Sequence, residues 1–248
     1  MIKLLVYGIG GTMGHYVVSS SEQTDDMKVV CGVDKFYKGN EFSCPVYPSC
    51  DDVVEKPDCI IDFSVPQGIY DYLPYAIKNK IPCVIATTGF SEDDIAYIQK
   101  AAETIPVLRS GNLSLGINLL LHLCKEAAKK VGDISDIEII EQHHNKKKDA
   151  PSGTALLLAD GIKSVLPDRY NKLGRAGLSK RTPEEIGIHA VRGGTIVGKH
   201  SVMFIMNGEV ITLTHEAENK SILSKGSLTA ARLIVTKEKG LYDLSDMF

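Results

Sequence analysis

The sequence predicts an α/β protein in two parts: an open parallel sheet covered by helices on both faces, then an α+β part with an open mixed sheet. Three observations predict this fold. Apolar runs alternate with helix-like segments over the first 112 residues, as is typical of parallel sheets. The alternation stops near Leu113. Residues 186–217 are then strand-rich and contain Asn207-Gly208, a dipeptide typical of hairpin turns.

A glycine-rich turn follows the first predicted strand. The apolar residues 1–7 lead into GIGGTMG, and the HYVVSS that follows begins a helix. Rossmann-type domains hold a dinucleotide pyrophosphate in this way, because glycines admit the ligand close to the backbone and the helix start supplies N–H groups. The spacing of Gly8, Gly10, Gly11 and Gly14 departs from the strict G-x-G-x-x-G pattern. An ordinary glycine-rich turn is therefore the alternative interpretation.

The second predicted strand, KVVCGVD, ends in Asp34, 20 residues after Gly14. An acid at this place usually accepts hydrogen bonds from the adenosine ribose hydroxyls. The neighbouring Lys35 could instead meet the 2′-phosphate of NADPH. These residues leave NADH and NADPH both open, and a simple strand-end turn is the alternative for Asp34.

Three further apolar runs end in polar or glycine turns, at residues 59–66, 82–90 and 106–112. Because the carboxyl ends of parallel strands line the ligand crevice, these turns are predicted to surround a bound nicotinamide. The residues concerned are Phe63, Ser64, Ala86, Thr87, Thr88, Ser110, Gly111 and Asn112. Residues 91–94, SEDD, form a capping box and are predicted to be structural.

The segment EIIEQHHNKKKDAPSGT, residues 138–154, combines two histidines, three lysines and a Ser-Gly-Thr turn. Its β-branched residues predict a strand that frays at the histidines. Pro151 disfavours helix at Ala150, so the lysines between the histidines and Pro151 are predicted to lie on a loop. A helix is predicted to start near Ser152, where unpaired N–H groups can hold a carboxylate through Gly153 and Thr154. The lysine charges add a second anion-binding element. The segment therefore predicts a site for a small dianion.

The residues of this segment admit two other interpretations. A lysine run is ordinarily a solvated loop, but its position beside a glycine-containing helix start favours a site. A zinc site is disfavoured because adjacent histidines on a strand point to opposite faces and no cysteine or carboxylate lies at ligand spacing. No metal ligand is predicted.

With these segments in view, the chain resembles the 4-hydroxy-tetrahydrodipicolinate reductases, also called dihydrodipicolinate reductases, of the diaminopimelate route to lysine. The resemblance covers nearly the whole chain. The motifs that carry it are GIGGTMG, DFSVPQG, IATTGF, SGNLSLGINLL, EIIEQHHNKKKDAPSGTAL, VRGGTIVGKH and LTHEAENK. It implies reduction of the cyclic dicarboxylate by hydride from NADH or NADPH, with a proton supplied by the protein. It also implies a homotetramer.

The resemblance implies roles for individual residues. His143 matches the family's proton donor or acceptor, and Lys147 matches its proton donor. His144 matches a substrate ligand, and Gly153 with Thr154 match the carboxylate-binding pair, with Ser152 assigned to the same site. The nucleotide-contacting positions are matched by Gly8, Ile9, Gly10, Gly11, Thr12, Met13, Asp34, Lys35, Ala86, Thr87, Thr88, Ser110, Gly111, Asn112 and Leu113.

The sequence departs from the family pattern in two places. Thr12 stands where arginine is frequent, which removes one expected contact to a 2′-phosphate and favours NADH or dual use. Lys146 stands where a histidine is common, so Lys146, Lys147, Lys148 and His143 all remain candidates for the proton donor.

These patterns predict a dinucleotide-binding domain over residues 1–112 and 222–248 and a substrate-binding and oligomerisation domain over 113–221. The return of the last helix, residues 221–237, to the first domain is implied by the resemblance. The free face of the second sheet invites oligomer contacts. His189, His200 and His215 in its strands are predicted to be packing or interface residues.

Composition excludes several protein classes. A chain of 248 residues with 44% hydrophobic residues can bury one large core or two modest ones. Its net charge of -3 gives no general affinity for nucleic acid or anionic membranes, and no apolar run reaches membrane-spanning length. The amino-terminal residues read as a strand and turn rather than a signal peptide, and the six cysteines lack CxxC pairing, so a cytoplasmic enzyme with reduced thiols is expected.

Two rival functions remain at this point. A nicotinamide-dependent dehydrogenase for another small acid would share the first domain but would not require the segment 138–154. A nucleotide-sensing protein would bind the dinucleotide without turnover.

Overall fold

Strands and helices alternate through the first half of the chain, as its apolar pattern predicts. The computed structural model describes residues 1–244. The strands are β1 (Ile2–Tyr7), β2 (Met27–Val33), β3 (Val46–Tyr47), β4 (Cys59–Asp62), β5 (Cys83–Ile85), β6 (Pro106–Arg109), β7 (Asp136–His143), β8 (Tyr170–Leu173), β9 (Glu185–Arg192), β10 (Gly198–Met206), β11 (Glu209–Ala217) and β12 (Gly240–Tyr242). The α-helices are α1 (Thr12–Ser21), α2 (Ile69–Asn79), α3 (Glu92–Ala102), α4 (Leu115–Val131), α5 (Gly153–Lys163) and α6 (Ser221–Ile234). Short 3₁₀ helices lie at Cys50–Asp52, Pro66–Gly68 and Gly132–Ile134.

The first sheet is parallel throughout, which confirms the predicted fold class. Its strand order is β12-β6-β5-β4-β1-β2-β3, and each neighbouring pair is parallel. Sequence order reverses beside β1, because β2 lies on one side of it and β4 on the other. In open α/β sheets, ligands bind outside the carboxyl ends of the strands at such a reversal.

Burial on both faces explains the continuous apolar run of β1. Leu5 packs in a core with residues of α2 and α3. Leu4 and Val6 face the other way and pack with residues of α1 and α6. All three side chains are fully buried, which is typical of a parallel strand covered by helices on both sides.

The predicted capping box is confirmed at the start of α3. The Ser91 side chain accepts a hydrogen bond from the backbone of Asp94, and the Asp94 side chain accepts from the backbone of Ser91. These side chains satisfy backbone groups of the helix end, and their role is structural.

The second sheet is mixed, as predicted, with strand order β11-β10-β7-β9-β8. β7 pairs parallel with β9 and antiparallel with β10. α4 and α5 cover one face, where Ile137 and Ile139 of β7 are fully buried. Because side chains alternate along a strand, Glu141 and His143 lie on this same covered face. β10 and β11 join through the predicted Asn207-Gly208 turn, where Gly208 has a φ of +88°.

Contacts between residues divide the chain into two compact units. One comprises Met1–Ser114 with the described residues from Ser221 onward, and the other is Leu115–Lys220. Leu113 lies in the apolar core of the first unit. Residues 245–248 of the predicted first domain lie outside the described residues.

Within residues 1–244, no helix is both long enough and apolar enough to traverse a lipid bilayer.

Candidate active site

The glycine turn after β1 has a shape that larger residues would prevent. Gly8 has a φ of +80°, and a Cβ there would lie 2.6 Å from the carbonyl oxygen of Phe63. A Cβ on Gly14 would lie 2.3 Å from the carbonyl oxygen of Ile9. α1 begins directly after this turn, with Gly11 as N-cap and no side chain capping its first amides. The turn therefore presents backbone N–H groups and the positive end of a helix to an anion.

Asp34 is fixed at the rim of this turn by two backbone groups. Its Oδ2 accepts from the N–H of Gly10 at 3.1 Å, and its Oδ1 accepts from the N–H of Phe36 at 3.0 Å. A Cβ on Gly10 would approach Asp34 Oδ2 to 2.9 Å. The carboxylate therefore stands beside the glycine turn, where a ribose diol would bind. Lys35 is exposed beside it.

A cleft of about 850 Å³ opens beside these groups. Among the residues that line it are Gly8, Gly11, Asp34, Lys35 and Ser64. Its size, its uncapped helix start and its acidic rim fit a dinucleotide. The residues present therefore fit the cofactor that the sequence analysis predicts.

The other predicted nucleotide contacts differ in exposure. The Ile9 side chain is fully buried in the apolar core, so this residue can meet a cofactor only through its backbone, and Leu113 is buried as well. Thr12 is exposed and Met13 half-buried. The predicted turns at 86–88 and 110–113 follow β5 and β6 at the carboxyl-end edge of the sheet, but they do not line the cleft.

In the second unit, Glu141 is the centre of a buried polar cluster. Its Oε2 lies 2.6 Å from Nδ1 of His143, and its Oε1 accepts from the N–H of Ser152 at 2.9 Å. Both terminal nitrogens of Arg192 donate to the carboxylate at 2.7 Å. Burial raises the pKa of Glu141, but the bonds from Arg192, His143 and Ser152 outweigh it and hold that pKa below its ordinary value. Glu141 is therefore an anion at neutral pH.

The start of α5 is shaped by Ser152, its N-cap. Ser152 Oγ accepts from the N–H of Ala155 at 3.2 Å and lies 3.0 Å from Nε2 of His200. A Cβ on Gly153 would meet no heavy atom within 4 Å, so open space lies in front of the helix start. This is the geometry required of an anion site at the amino end of a helix.

The three lysines of the loop are not equivalent. The Lys147 side chain is 21% exposed, and its Nζ lies 2.8 Å from Oδ2 of Asp149. This ammonium lowers the pKa of Asp149. Lys146 and Lys148 are exposed. Lys147 is therefore the lysine of the three that the fold holds in place, through its ion pair with Asp149.

His144 follows β7 and is half-buried. Within residues 1–244 its Nδ1 is buried without a hydrogen-bond partner. An unpaired buried ring nitrogen is costly, and a polar ligand would relieve that cost. This observation supports the substrate contact predicted for His144.

Arg192 and Glu141 also belong to the site, although no local sequence pattern predicts a role for either residue. Arg192 lies opposite His143 in the parallel pairing of β7 with β9. It also donates to the carbonyl oxygen of Asp149 at 2.6 Å and so ties the lysine loop to the cluster. Arg192 lies in the motif VRGGTIVGKH, but only the pairing of β7 with β9 shows that Glu141 is its partner.

His200 also belongs to the cluster. It is buried, as a packing residue should be, but it lies opposite Glu141 in the pairing of β7 with β10 and contacts Ser152. Burial, with the neighbouring His143, lowers the pKa of His200 to about 4. His200 is therefore neutral at physiological pH. In the described part of the chain, no three His, Cys, Asp or Glu side chains are grouped as metal ligands.

Comparisons with known proteins agree with both parts of this geometry. Residues 2–113 match the dihydrodipicolinate reductase N-terminus and residues 116–248 match the dihydrodipicolinate reductase C-terminus. The chain is 47% identical over 249 residues to the 4-hydroxy-tetrahydrodipicolinate reductase of Caldanaerobacter subterraneus subsp. tengcongensis, a match covering 100% of this chain and 98% of the relative. It is 40% identical over 248 residues to the enzyme of that name from Clostridium tetani, covering 100% and 97%.

A solved structure, the dipicolinate-bound dihydrodipicolinate reductase from Paenisporosarcina sp. TG-14, matches with a TM-score of 0.85 and 25% identity, covering 100% of each chain. The similarity therefore extends over both sheets rather than over the nucleotide-binding part alone.

Proposed function

The chain belongs to the dihydrodipicolinate reductase family, and we propose that it reduces 4-hydroxy-tetrahydrodipicolinate to tetrahydrodipicolinate in the diaminopimelate route to lysine. One observation carries the proposal most strongly. The buried carboxylate of Glu141 bonds both His143 and the first turn leading into α5. A proton-transfer group and an anion-binding helix start are thereby fixed to one another.

Substrate binding follows from the charges around α5. One carboxylate of the substrate binds the opening amides of the helix at Gly153 and Thr154, where the partial positive charge is greatest. His144 and Lys147 bind the other polar groups of the ligand. Ser152 contributes by capping the helix, since its hydroxyl is already engaged by Ala155 and His200.

Proton transfer is assigned to His143 and Lys147. Because Glu141 is ionised, it accepts a hydrogen bond from Nδ1–H of His143, and Nε2 is left as the ring nitrogen that exchanges a proton with the substrate. The Lys147 ammonium supplies charge, and a proton from Nζ, where negative charge develops on the ring. Asp149 orients that ammonium from 2.8 Å.

The cofactor is a nicotinamide dinucleotide, which supplies the hydride. Gly8, Gly11 and the start of α1 bind its pyrophosphate, and Asp34 accepts from the adenosine ribose. We propose NADH use, alone or with NADPH. A carboxylate disfavours a 2′-phosphate electrostatically, and Thr12 offers no positive charge to offset it.

The proposal also covers the oligomeric state and the cellular location of the protein. We propose a cytoplasmic homotetramer that assembles through the uncovered face of the second sheet, where Ile140, Met203 and Ile205 are half-buried side chains. Light scattering after size-exclusion chromatography tests the assembly, and a monomer at micromolar concentration contradicts it. Detection of the protein in the membrane or secreted fraction of its cells contradicts the location.

A spectrophotometric assay tests the function. The substrate is generated freshly by its preceding enzyme, and the oxidation of NADH and of NADPH is followed at equal protein concentration. We expect turnover with NADH that requires the substrate. Dinucleotide binding without turnover, in a folded sample, supports the sensor alternative, and turnover only with another small acid supports the alternative dehydrogenase.

A further inference from the structure

Asp62, at the carboxyl end of β4, is a buried carboxylate that the mechanism above does not use. Its side chain is completely buried. Its bonds come from neutral donors: Oδ1 accepts from the N–H of Ser64 at 3.0 Å and from the Ser64 hydroxyl. Oδ2 accepts from the hydroxyl of Tyr72 at 3.2 Å. The hydroxyl of Thr87 is a further partner.

A carboxylate buried in this way lowers the stability of the fold. Removing an ion from water is costly in a protein interior, and neutral donors offset that cost only in part. The balance is visible in the pKa of Asp62, which burial raises to about 6 in spite of the donors. Such a group at the ligand-binding edge of a sheet points to a role beyond packing.

The bonds of Asp62 join two turns of the cofactor site. The N–H of Ser64 donates to Thr87 Oγ1 at 2.9 Å as well as to Asp62. Asp62, Ser64 and Thr87 therefore form a closed ring between the turn after β4 and the turn after β5. Thr87 belongs to the predicted nicotinamide-binding turn, and Ser64 lines the cleft.

The same ring also bears on the glycine turn. A Cβ on Gly8 would lie 2.6 Å from the carbonyl oxygen of Phe63 and 3.1 Å from Cβ of Ser64. The turn that Asp62 fixes is thus the surface against which the pyrophosphate-binding glycine packs. A shift of Ser64 would be transmitted directly to the backbone at Gly8.

We propose that Asp62 is a positioning residue for the nicotinamide cofactor. The carboxylate of Asp62 holds the turns at Ser64 and Thr87 in the arrangement that binds the dinucleotide. This inference rests on the proposed function for the identity of the ligand. The charge is essential to it, because the hydroxyls of Ser64, Tyr72 and Thr87 all donate to the carboxylate. A proton or an amide in its place turns one acceptor into a donor and breaks the ring.

The groups that face Asp62 are Tyr7 from β1, Tyr72 from α2 and Cys83 from β5. Burial raises the pKa of each above its ordinary value, so these three groups stay neutral between pH 5 and 8. Tyr7 in turn donates to Asp71, a carboxylate at the cleft. We therefore expect cofactor affinity to fall as Asp62 takes up a proton below about pH 6.

The experiment measures NADH binding by fluorescence titration of the full chain between pH 5 and 8, without substrate. For the wild type, we expect the Kd to rise roughly fivefold from pH 7.5 to pH 5, since about one molecule in ten is then ionised at Asp62 and the protonated form should bind about tenfold more weakly. Asp62→Asn should bind NADH roughly tenfold more weakly at pH 7.5 and show a nearly flat pH profile, as expected for a lost charge-assisted bond.

Tyr72→Phe is the matched second variant. It removes one donor to the charged carboxylate but leaves both turns unchanged, so the midpoint of the pH profile should move upward while the Kd at pH 8 stays near wild type. A role in packing alone would not shift that midpoint. This variant also decides the question if Asp62→Asn does not fold.

Binding of pyridine-2,6-dicarboxylate is measured on the same samples and should not change in either variant. A wild type that binds NADH but not pyridine-2,6-dicarboxylate would count against the proposed function and would leave the NADH result valid. Asp62→Asn with wild-type NADH affinity and pH profile would overturn the role of Asp62, as would an unshifted midpoint in Tyr72→Phe.

Discussion

Oε2 of Glu141 lies 2.6 Å from Nδ1 of His143, on the covered face of the second sheet. In the strand that carries both residues, Glu141 and His143 follow Ile137 and Ile139 on the same buried face. The alternation of the strand is therefore enough to bury the carboxylate. A buried anion must be compensated, and here Arg192 and the N–H of Ser152 do so. The compensation simultaneously fixes the imidazole, the helix start and the lysine loop.

Glu141→Gln should therefore lower both stability and activity. Removing one partner of a buried ion pair leaves Arg192 uncompensated, and we expect a loss of about 3 kcal/mol in the free energy of unfolding. The turnover number should fall at least tenfold because an amide has one acceptor oxygen and no charge, and cannot hold His143, Ser152 and Arg192 at the same time. Urea unfolding and steady-state kinetics measure the two effects.

Glu138→Gln is the control for this prediction, since Glu138 is a half-buried glutamate on the opposite face of β7. Its turnover number should stay near wild type. If Glu141→Gln matched the wild type in both measurements, the central role of this carboxylate would be wrong.

Lys147→Ala should lower the turnover number far more than it weakens NADH binding. Loss of a positioned proton donor typically costs ~10²–10⁴ in rate, whereas the dinucleotide site belongs to other residues. Lys148→Ala is the matched control, because Lys148 is an exposed neighbour in the same loop. Equal losses of turnover in the two variants would assign the effect to the general positive charge of the loop. An unchanged turnover number in Lys147→Ala would mean that Lys147 has no role in the mechanism.

Thr12→Arg should shift cofactor preference towards NADPH. A guanidinium at the exposed start of α1 can form a charge-assisted bond to a 2′-phosphate, worth about 1.5–3 kcal/mol and so roughly 10- to 100-fold in the NADPH to NADH ratio of kcat/KM. Thr12→Gln controls for side-chain length without charge. An unchanged ratio in Thr12→Arg would mean that the 2′ position lies away from this helix start.

Local patterns were sufficient to predict much of this architecture. Strand β1, its glycine turn and α1 follow from neighbouring residues, and so does the capping box at Ser91. The sequence predicts a helix start near Ser152, and Ser152 is the N-cap of α5. In each case the deciding interactions lie within a few residues of one another, so the sequence pattern contains them.

The polar clusters could not be predicted in the same way. Arg192 meets Glu141 because β9 pairs parallel with β7, and His200 meets it because β10 pairs antiparallel with β7. Arg192 and His200 lie 51 and 59 residues after Glu141, and no periodicity encodes the register between the strands. Asp62 is similar, since its burial depends on Thr87 and Tyr72 from other elements. Strand β12 was also unpredicted, because three residues are too few to show an alternating pattern.

The buried imidazole of His200 should make the stability of the protein depend on pH. Its pKa is lowered from 6.5 to about 4 in the folded state, chiefly by burial. The unfolded chain therefore binds more protons between these values, and folding loses free energy as the pH falls through this range. For a single group with this shift, the loss between pH 7.5 and pH 5 is about 2 kcal/mol.

His200→Gln should lack this contribution, because glutamine fills a similar volume without taking up a proton. Its urea midpoint should fall less than that of the wild type between pH 7.5 and pH 5, although it starts lower because the packing against Ser152 is altered. His189→Gln, at a histidine of the same sheet that bonds Glu138 instead of Ser152, is the control for the loss of an imidazole elsewhere in the sheet. Comparing how the urea midpoints of the variants change with pH removes the contributions of the other titrating groups. One of these is Asp62, whose raised pKa makes the fold more stable as the pH falls below 6. Parallel slopes for wild type and His200→Gln would show that His200 binds protons equally in the folded and unfolded states, and the neutral imidazole beside Ser152 would then be the wrong description of this site.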